Sequence, residues 1–106
     1  MLQVDIDTKM KFLHGLSNKT RVQILESIKE DEKTVSQIVQ DLNGNQSNIS
    51  QHLTCLKGCG LVVGRQDGKY VYYRVRNQLV RDLLTMIDVV LEDVEKDVAC
   101  CDSHID

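Results

Sequence analysis

Apolar positions along the chain follow two periods, and the places where the period changes divide it into elements. Up to Gly60 they recur at helical spacing. Phe12, Leu13 and Leu16 anchor a first helix over about Ile6 to His14. A second starts near Ser17 or Asn18, either of which caps it, and carries Val22, Leu25 and Ile28 as a stripe with Ile24 beside it. The charged run Lys29 to Lys33 reads as a solvated turn. Thr34 or Ser36 then caps a short helix bearing Val35, Ile38, Val39 and Leu42, and Asn43-Gly44-Asn45 forms a turn. The next helix runs from about Asn45 to Gly58, with Ile49, Leu53 and Leu56 on one face and Ser47, Ser50, Gln51 and Thr54 elsewhere. Gly58 and Gly60 stop it.

After Gly60 the period moves toward two. Leu61 to Arg65 and Tyr70 to Val75 read as strands, and Asp67-Gly68 between them is a hairpin signal. From about Gln78 to Val98 the helical period returns. Leu79, Val80, Leu83, Leu84, Ile87, Val90, Leu91, Val94 and Val98 form an apolar stripe over about five turns. A domain this small offers little surface to cover such a stripe, so the helix reads as a dimerisation helix, the alternative being packing on its own domain.

A short helix, a tight turn and a second helix rich in Ser, Asn and Gln describe a helix-turn-helix, and the hairpin after it makes a wing. The expected class is therefore mainly α with a β-hairpin wing (α+β): a winged helix-turn-helix with a long C-terminal dimerisation helix. The 106 residues suit one domain, expected over 1–98, followed by a cysteine-containing tail, 99–106. With a single Phe and no Trp, the core must be aliphatic.

The net charge of −3 speaks against nucleic acid until its distribution is considered. Lys57, Arg65, Lys69, Arg74 and Arg76 stand against only Asp67 between Gly44 and Arg76, whereas the chain beyond Asn77 is strongly acidic. A basic middle and an acidic end suit a DNA-facing surface and a remote helix. Gln46, Ser47, Asn48, Ser50 and Gln51 supply the short hydrogen-bonding side chains a helix needs in the major groove of duplex DNA. Arg65 and Lys69, with Tyr70 beside them, would meet backbone or minor groove from the wing. The competing reading is a merely solvated polar face.

No stretch has the length of a membrane span, and Met1 to Lys11 is polar and mixed in charge, unlike a signal peptide. No membrane partner and a cytoplasmic location are expected. In a reducing compartment four cysteines point to metal binding or redox sensing rather than a disulfide framework. Cys55 and Cys59 are spaced i, i+4 and share one helix face. Cys100 and Cys101 lie on the tail, where a dimer would let one subunit reach the recognition helix of the other. Three or four thiolates select soft ions: Cd(II), Pb(II), As(III) and, less selectively, Zn(II). A reversible thiol or persulfide switch uses the same cysteines, and Cys55 alone reads equally as a small buried hydrophobe. His52 reads as packing or DNA contact before it reads as a ligand. Asp102 and His104 read as solvated tail, and His14 as structural. An enzyme is not expected, since the chain has no Cys-x-x-Cys and no phosphate loop.

Leu16-Ser17-Asn18-Lys19-Thr20-Arg21-Val22-Gln23-Ile24-Leu25 resembles the N-terminal signature of the ArsR/SmtB repressors. Gln46 to Leu53, Leu56-Lys57, Gly60-Leu61-Val62 and the wing from Arg65 to Arg74 resemble that family too, so the likeness covers nearly the whole chain. It implies a homodimeric winged-helix repressor of metal-resistance or efflux genes, released from its operator by a metal ion. The segment Leu53 to Val63 is similar to the sensing segment of the cadmium- and lead-responsive branch. That likeness implies Cys55, Cys59 and a third cysteine at Cys100 as ligands. The doubled Cys100-Cys101 departs from the branch and leaves the third ligand open between them. The zinc site that other members build on the last helix has no counterpart, because no His precedes Val98 there.

Overall fold

The computed structural model describes the backbone over residues 4–104 and side chains over residues 4–95. The order is α1 (Ile6–His14), α2 (Lys19–Ile28), α3 (Val35–Leu42), α4 (Gln46–Gly58), β1 (Val62–Asp67), β2 (Tyr70–Val75) and α5 (Gln78–His104). It is the winged helix-turn-helix expected, with the hairpin directly after the second helix of the motif.

Each helix starts where a side chain caps it. Asp5 accepts from Thr8 N at 2.6 Å, Asn18 from Arg21 N at 3.0 Å, Asn45 from Asn48 N at 3.0 Å and Asn77 from Val80 N at 3.1 Å. Thr34 and Gln37 form a reciprocal capping box at the start of α3. Asn43, at φ 53°, ends that helix in the left-handed conformation and turns the chain toward α4.

The core is aliphatic. Ile24, Leu25 and Ile28 of α2 meet Ile38 of α3 and Ile49, Leu53 and Leu56 of α4, closed by Leu61, Val62 and Val75 from the base of the hairpin. Only Val80 and Leu84 of α5 reach it. Ile87, Val90 and Leu91, on the same expected stripe, are exposed, and Leu79 is 77 % exposed. α1 contributes no buried residue, and Ile6, Met10 and Leu13 are exposed. Beyond Val80 and Leu84, the stripe of α5 is therefore uncovered among the described residues.

Three expectations need correction. The strands pair antiparallel from Val62↔Val75 to Asp67↔Tyr70, so the turn is Gly68-Lys69, one residue later than Asp67-Gly68. Gly68, at φ +64°, takes the first central position that a type II′ turn reserves for glycine. The run Lys29 to Lys33 is not simply a solvated turn. Lys33 exchanges backbone hydrogen bonds with Tyr73 (2.9 and 2.7 Å), tying the hairpin to the α2–α3 connection. Finally, α5 does not end at Val98 but runs to His104, since neither Gly nor Pro interrupts it. No helix among the described residues is long and apolar enough to cross a membrane.

Candidate nucleic-acid interface and cysteine pair

The buried stripe Ile49, Leu53 and Leu56 fixes the rotation of α4, and so decides what its other face presents. Gln46, Ser47, Asn48 and Gln51 are exposed and Ser50 is half-buried. Gln46, Ser47, Ser50, Gln51 and Thr54 line an open groove of about 520 Å³. Thr54 Oγ1 donates to Ser50 O at 3.1 Å, so its hydroxyl hydrogen is engaged with the helix backbone. The N-terminus of α4 thus offers uncommitted amide and hydroxyl groups on a rigid rod, the form in which base edges are read.

The wing carries the cations. Lys69 sits in the tip turn with its Nζ 5.8 Å from the Tyr70 ring centroid. Arg65 lies against Tyr72, its Cζ 5.1 Å from the ring centroid, and is not free. Its guanidinium forks onto Glu32: Nε donates to Oε2 at 3.2 Å and Nη2 to Oε1, while Nη1 approaches Asp67 at 3.5 Å. Hydrogen bonding from Arg65 holds the Glu32 carboxyl below its usual range, and Glu32 in turn raises the Arg65 guanidinium. A phosphate contact by Arg65 must therefore compete with Glu32, a residue the sequence reading passed over.

At the other end of α4, Cys55 and Cys59 are half-buried free thiols. Cys59 Sγ donates to Lys11 O of α1 at 3.4 Å. Burial, then the neighbouring Cys55, push the Cys59 thiol above its ordinary value, while Lys11 and Arg21 pull it the other way. Cys59 also borders a cleft of about 390 Å³ with Phe12, Arg76, Leu79 and Val80. No group of three metal-ligating side chains converges among the described residues. Two soft donors on one face fit a thiophilic ion as part of a site, and they do not complete one. The side chains of Cys100, Cys101, Asp102 and His104 lie outside the described residues.

Arg21, which the sequence marks only as part of the family signature, is a structural centre. Although charged, it is only 7 % exposed. Nε donates to Gly15 O at 3.2 Å, Nη2 to His14 O at 2.8 Å and Nη1 to His52 Nδ1 at 3.4 Å. A guanidinium cannot accept, so in this contact Nδ1 of His52 takes the acceptor role. His52 thus belongs to the packing of α4 against α2. The signal was present: the buried face of α2 is Arg21, Ile24, Leu25 and Ile28, a perfect i, i+3, i+4, i+7 stripe with a cation in its first place.

Residues 18–63 match the family model described as bacterial regulatory protein, arsR family. The chain is 34 % identical over 95 residues to a probable mercury resistance operon repressor of Streptomyces lividans, covering 90 % of this chain and 76 % of that protein. It is 37 % identical over 87 residues to the HTH-type transcriptional regulator CmtR of Mycobacterium tuberculosis, covering 81 % and 73 %. Among solved structures, it is similar to the homodimeric winged helix-turn-helix DNA-binding domain of Mb0332 from Mycobacterium bovis, a possible ArsR-family regulator. The TM-score is 0.81 at 29 % identity, covering 90 % of this chain and 93 % of that one. The crystal structure of Rv0081 of Mycobacterium tuberculosis gives a TM-score of 0.80 at 30 % identity, covering 88 % and 94 %.

Proposed function

Since the chain belongs to the ArsR family of bacterial regulatory proteins, a family of DNA-binding transcriptional regulators, we propose that it is a homodimeric repressor released from operator DNA by a soft metal ion held on cysteine thiolates. The observation that carries this reading is the placement of Cys55 and Cys59 on the helix whose other end bears Gln46, Ser47, Asn48, Ser50 and Gln51. A ligand at one end of a rigid helix acts on the element that holds the DNA.

Dimerisation is supported by the uncovered apolar surface of α1 and α5, and by the homodimeric relative. The dimer also bears on the metal site. At about 1.5 Å rise per residue, a straight α5 carries Cys100 about 33 Å from its start. Cys59, in contrast, borders the cleft formed by Leu79 and Val80 at that start. That separation favours Cys100 or Cys101 as a ligand in the partner subunit's site over its own.

Cd(II) or Pb(II) is the proposed inducer, from the likeness of Leu53 to Val63 to the branch that senses those ions and from the thiolate donor set. The mercury-resistance relative makes Hg(II) the first competitor, and Zn(II) and As(III) follow from the same donors. Thiol oxidation is the second reading. It is less favoured, because a reactive sensor needs a depressed thiol and Cys59 is raised. Lys69 and the α4 N-terminus supply the DNA contacts, with Arg65 joining when Glu32 releases it.

The test is a titration of the reduced protein on a labelled operator duplex with Cd(II), Pb(II) and Hg(II), followed by anisotropy and by thiolate-to-metal absorption in the ultraviolet. Release of DNA together with that absorption is expected, and both are lost in Cys55→Ser and Cys59→Ser. Constant operator affinity through the titration with all three ions refutes metal induction.

A further inference from the structure

Arg21 places a buried guanidinium between two elements that the proposed function requires to communicate. Burying a charge is unfavourable unless it is fully hydrogen-bonded, and Arg21 meets that demand with acceptors from two sides. His14 O and Gly15 O belong to the end of α1 and the turn after it. His52 sits at the middle of α4. One planar fork, with little freedom to re-aim, thus spans from the α1–α2 turn to the DNA-reading helix.

The end of α1 is also held by the cysteine end of α4. Cys59 Sγ donates to Lys11 O at 3.4 Å. Gly15 is buried, and a Cβ added there would lie 2.9 Å from Leu61 Cδ1 and 3.4 Å from Cys59 Cβ. The last turn of α1 and Gly15 after it are therefore held by both Cys59 and Arg21. α1 has no fully buried residue, and only Phe12 of that helix packs against the core beside these contacts.

We propose that Arg21 is a positioning residue for DNA reading, and that through it a change at Cys59 reaches the recognition helix. This rests on the reading of Cys59 as the place where an inducer acts. A sulfur that carries a ligand in place of its hydrogen no longer donates to Lys11 O, and α1 loses that hold. His14 O and Gly15 O move with the end of α1, and the Arg21 fork cannot follow them while keeping His52. The recognition helix then loses its lateral brace. Arg21 itself never touches DNA.

The experiment needs no metal. In a chain carrying Cys55→Ser, Cys100→Ser and Cys101→Ser, Cys59 is the sole thiol. Iodoacetamide alkylates it, with iodide as the leaving group and the thiol proton passing to buffer. Affinity for an operator duplex selected by the wild-type protein is measured against salt, before and after alkylation, with and without Arg21→Met. Alkylation is expected to weaken binding about tenfold, within the usual range of coupling between sites. Arg21→Met is expected to weaken it by a similar factor at unchanged salt slope, because no phosphate contact is lost. Alkylating the Arg21→Met protein then costs no more than about a further twofold, as two breaks in one linkage do not add. His52→Ala severs the same link from the α4 side, must show the same pattern, and decides the matter if melting shows that Arg21→Met does not fold. The proposal is overturned if the two losses multiply, if alkylation leaves affinity unchanged, or if Arg21→Met flattens the salt slope by about one phosphate. Because no metal is used, failure of the cadmium, lead and mercury titration is read separately.

Discussion

Glu32 makes a counter-intuitive prediction: removing its charge should strengthen the protein's electrostatic grip on DNA. Arg65 is half exposed on the wing, yet its fork is occupied by Glu32, with Asp67 as a weaker second partner at 3.5 Å. Glu32→Gln removes a full negative charge next to the wing and leaves an amide that cannot hold a guanidinium bidentately. Stacking on Tyr72 at 5.1 Å keeps Arg65 at the face of the hairpin, so the freed cation is presented rather than scattered. Each phosphate neutralised adds about −0.9 to the slope of log affinity against log salt. One added contact therefore makes binding fall about twofold more steeply between 0.1 and 0.2 M salt. Anisotropy titrations of a labelled operator duplex at several salt concentrations measure this directly. Higher affinity at low salt and the steeper slope are expected for Glu32→Gln, and neither for Glu32→Gln combined with Arg65→Gln. An unchanged slope with equal or lower affinity refutes the reasoning. Arg65 would then brace the wing against the α2–α3 connection and leave phosphate contact to Lys69.

Further outcomes follow from other parts of the molecule. Ile87→Glu puts a charge in the uncovered stripe of α5, so light scattering should report half the mass of wild type and operator affinity should fall with it. Gly15→Ala should destabilise the fold by about 1–3 kcal/mol in urea unfolding, because the new methyl meets Leu61 Cδ1 at 2.9 Å and the fixed Phe12 O at 3.2 Å. The carboxyls of Asp5, Glu32 and Asp41 are all held below their usual range: Asp5 by the Thr8 N–H, Glu32 by Arg65, and Asp41 by Lys33 then Ser27. Groups with depressed folded values stabilise above their unfolded values, so the urea midpoint should be flat at neutral pH and fall as pH drops below about 4. Cys59 has the opposite sign: its raised thiol favours the protonated form in the fold. Cd(II) affinity, measured by absorption, should therefore keep rising with pH through neutrality and beyond, and a plateau already at pH 6 would contradict a Cys59 ligand.

Much of this fold was legible because its local signals agree with its packing. Asn18, Thr34 and Asn45 cap the helices that their positions before apolar stripes announce. Where the sequence reading went astray, a long-range contact outweighed a local one. A five-residue charged run looks solvated from its own composition, but Lys33 pairs with Tyr73 and Glu32 with Arg65, both more than thirty positions away. Arg21 was hidden by its residue type. A cation is expected outside, and the stripe was read from Val22 instead of from the residue before it. The cysteines show a different limit. Spacing placed Cys55 and Cys59 on one face, but the carbonyl that meets Cys59 comes from Lys11, on an element with no sequence-level tie to it.

α4 joins these observations into one mechanical unit. Three buried residues, Ile49, Leu53 and Leu56, set its rotation in the core, and each is exposed by 1 % or less. Such a tightly packed rod does not bend to absorb a local push. Displacing its cysteine end must therefore tilt or turn the whole helix, groups facing the groove included. Ser47 and Cys59 are about 18 Å apart along the axis at the helical rise of about 1.5 Å per residue. A tilt of a few degrees over that length moves a side chain by about 1 Å, more than a bidentate hydrogen bond to a base tolerates. Besides the core packing, α4 is tied laterally by the contact from Arg21 to His52 at 3.4 Å. On the proposed function, an inducer held at Cys55 and Cys59 would therefore act on the DNA-reading face through the rigidity of α4 itself.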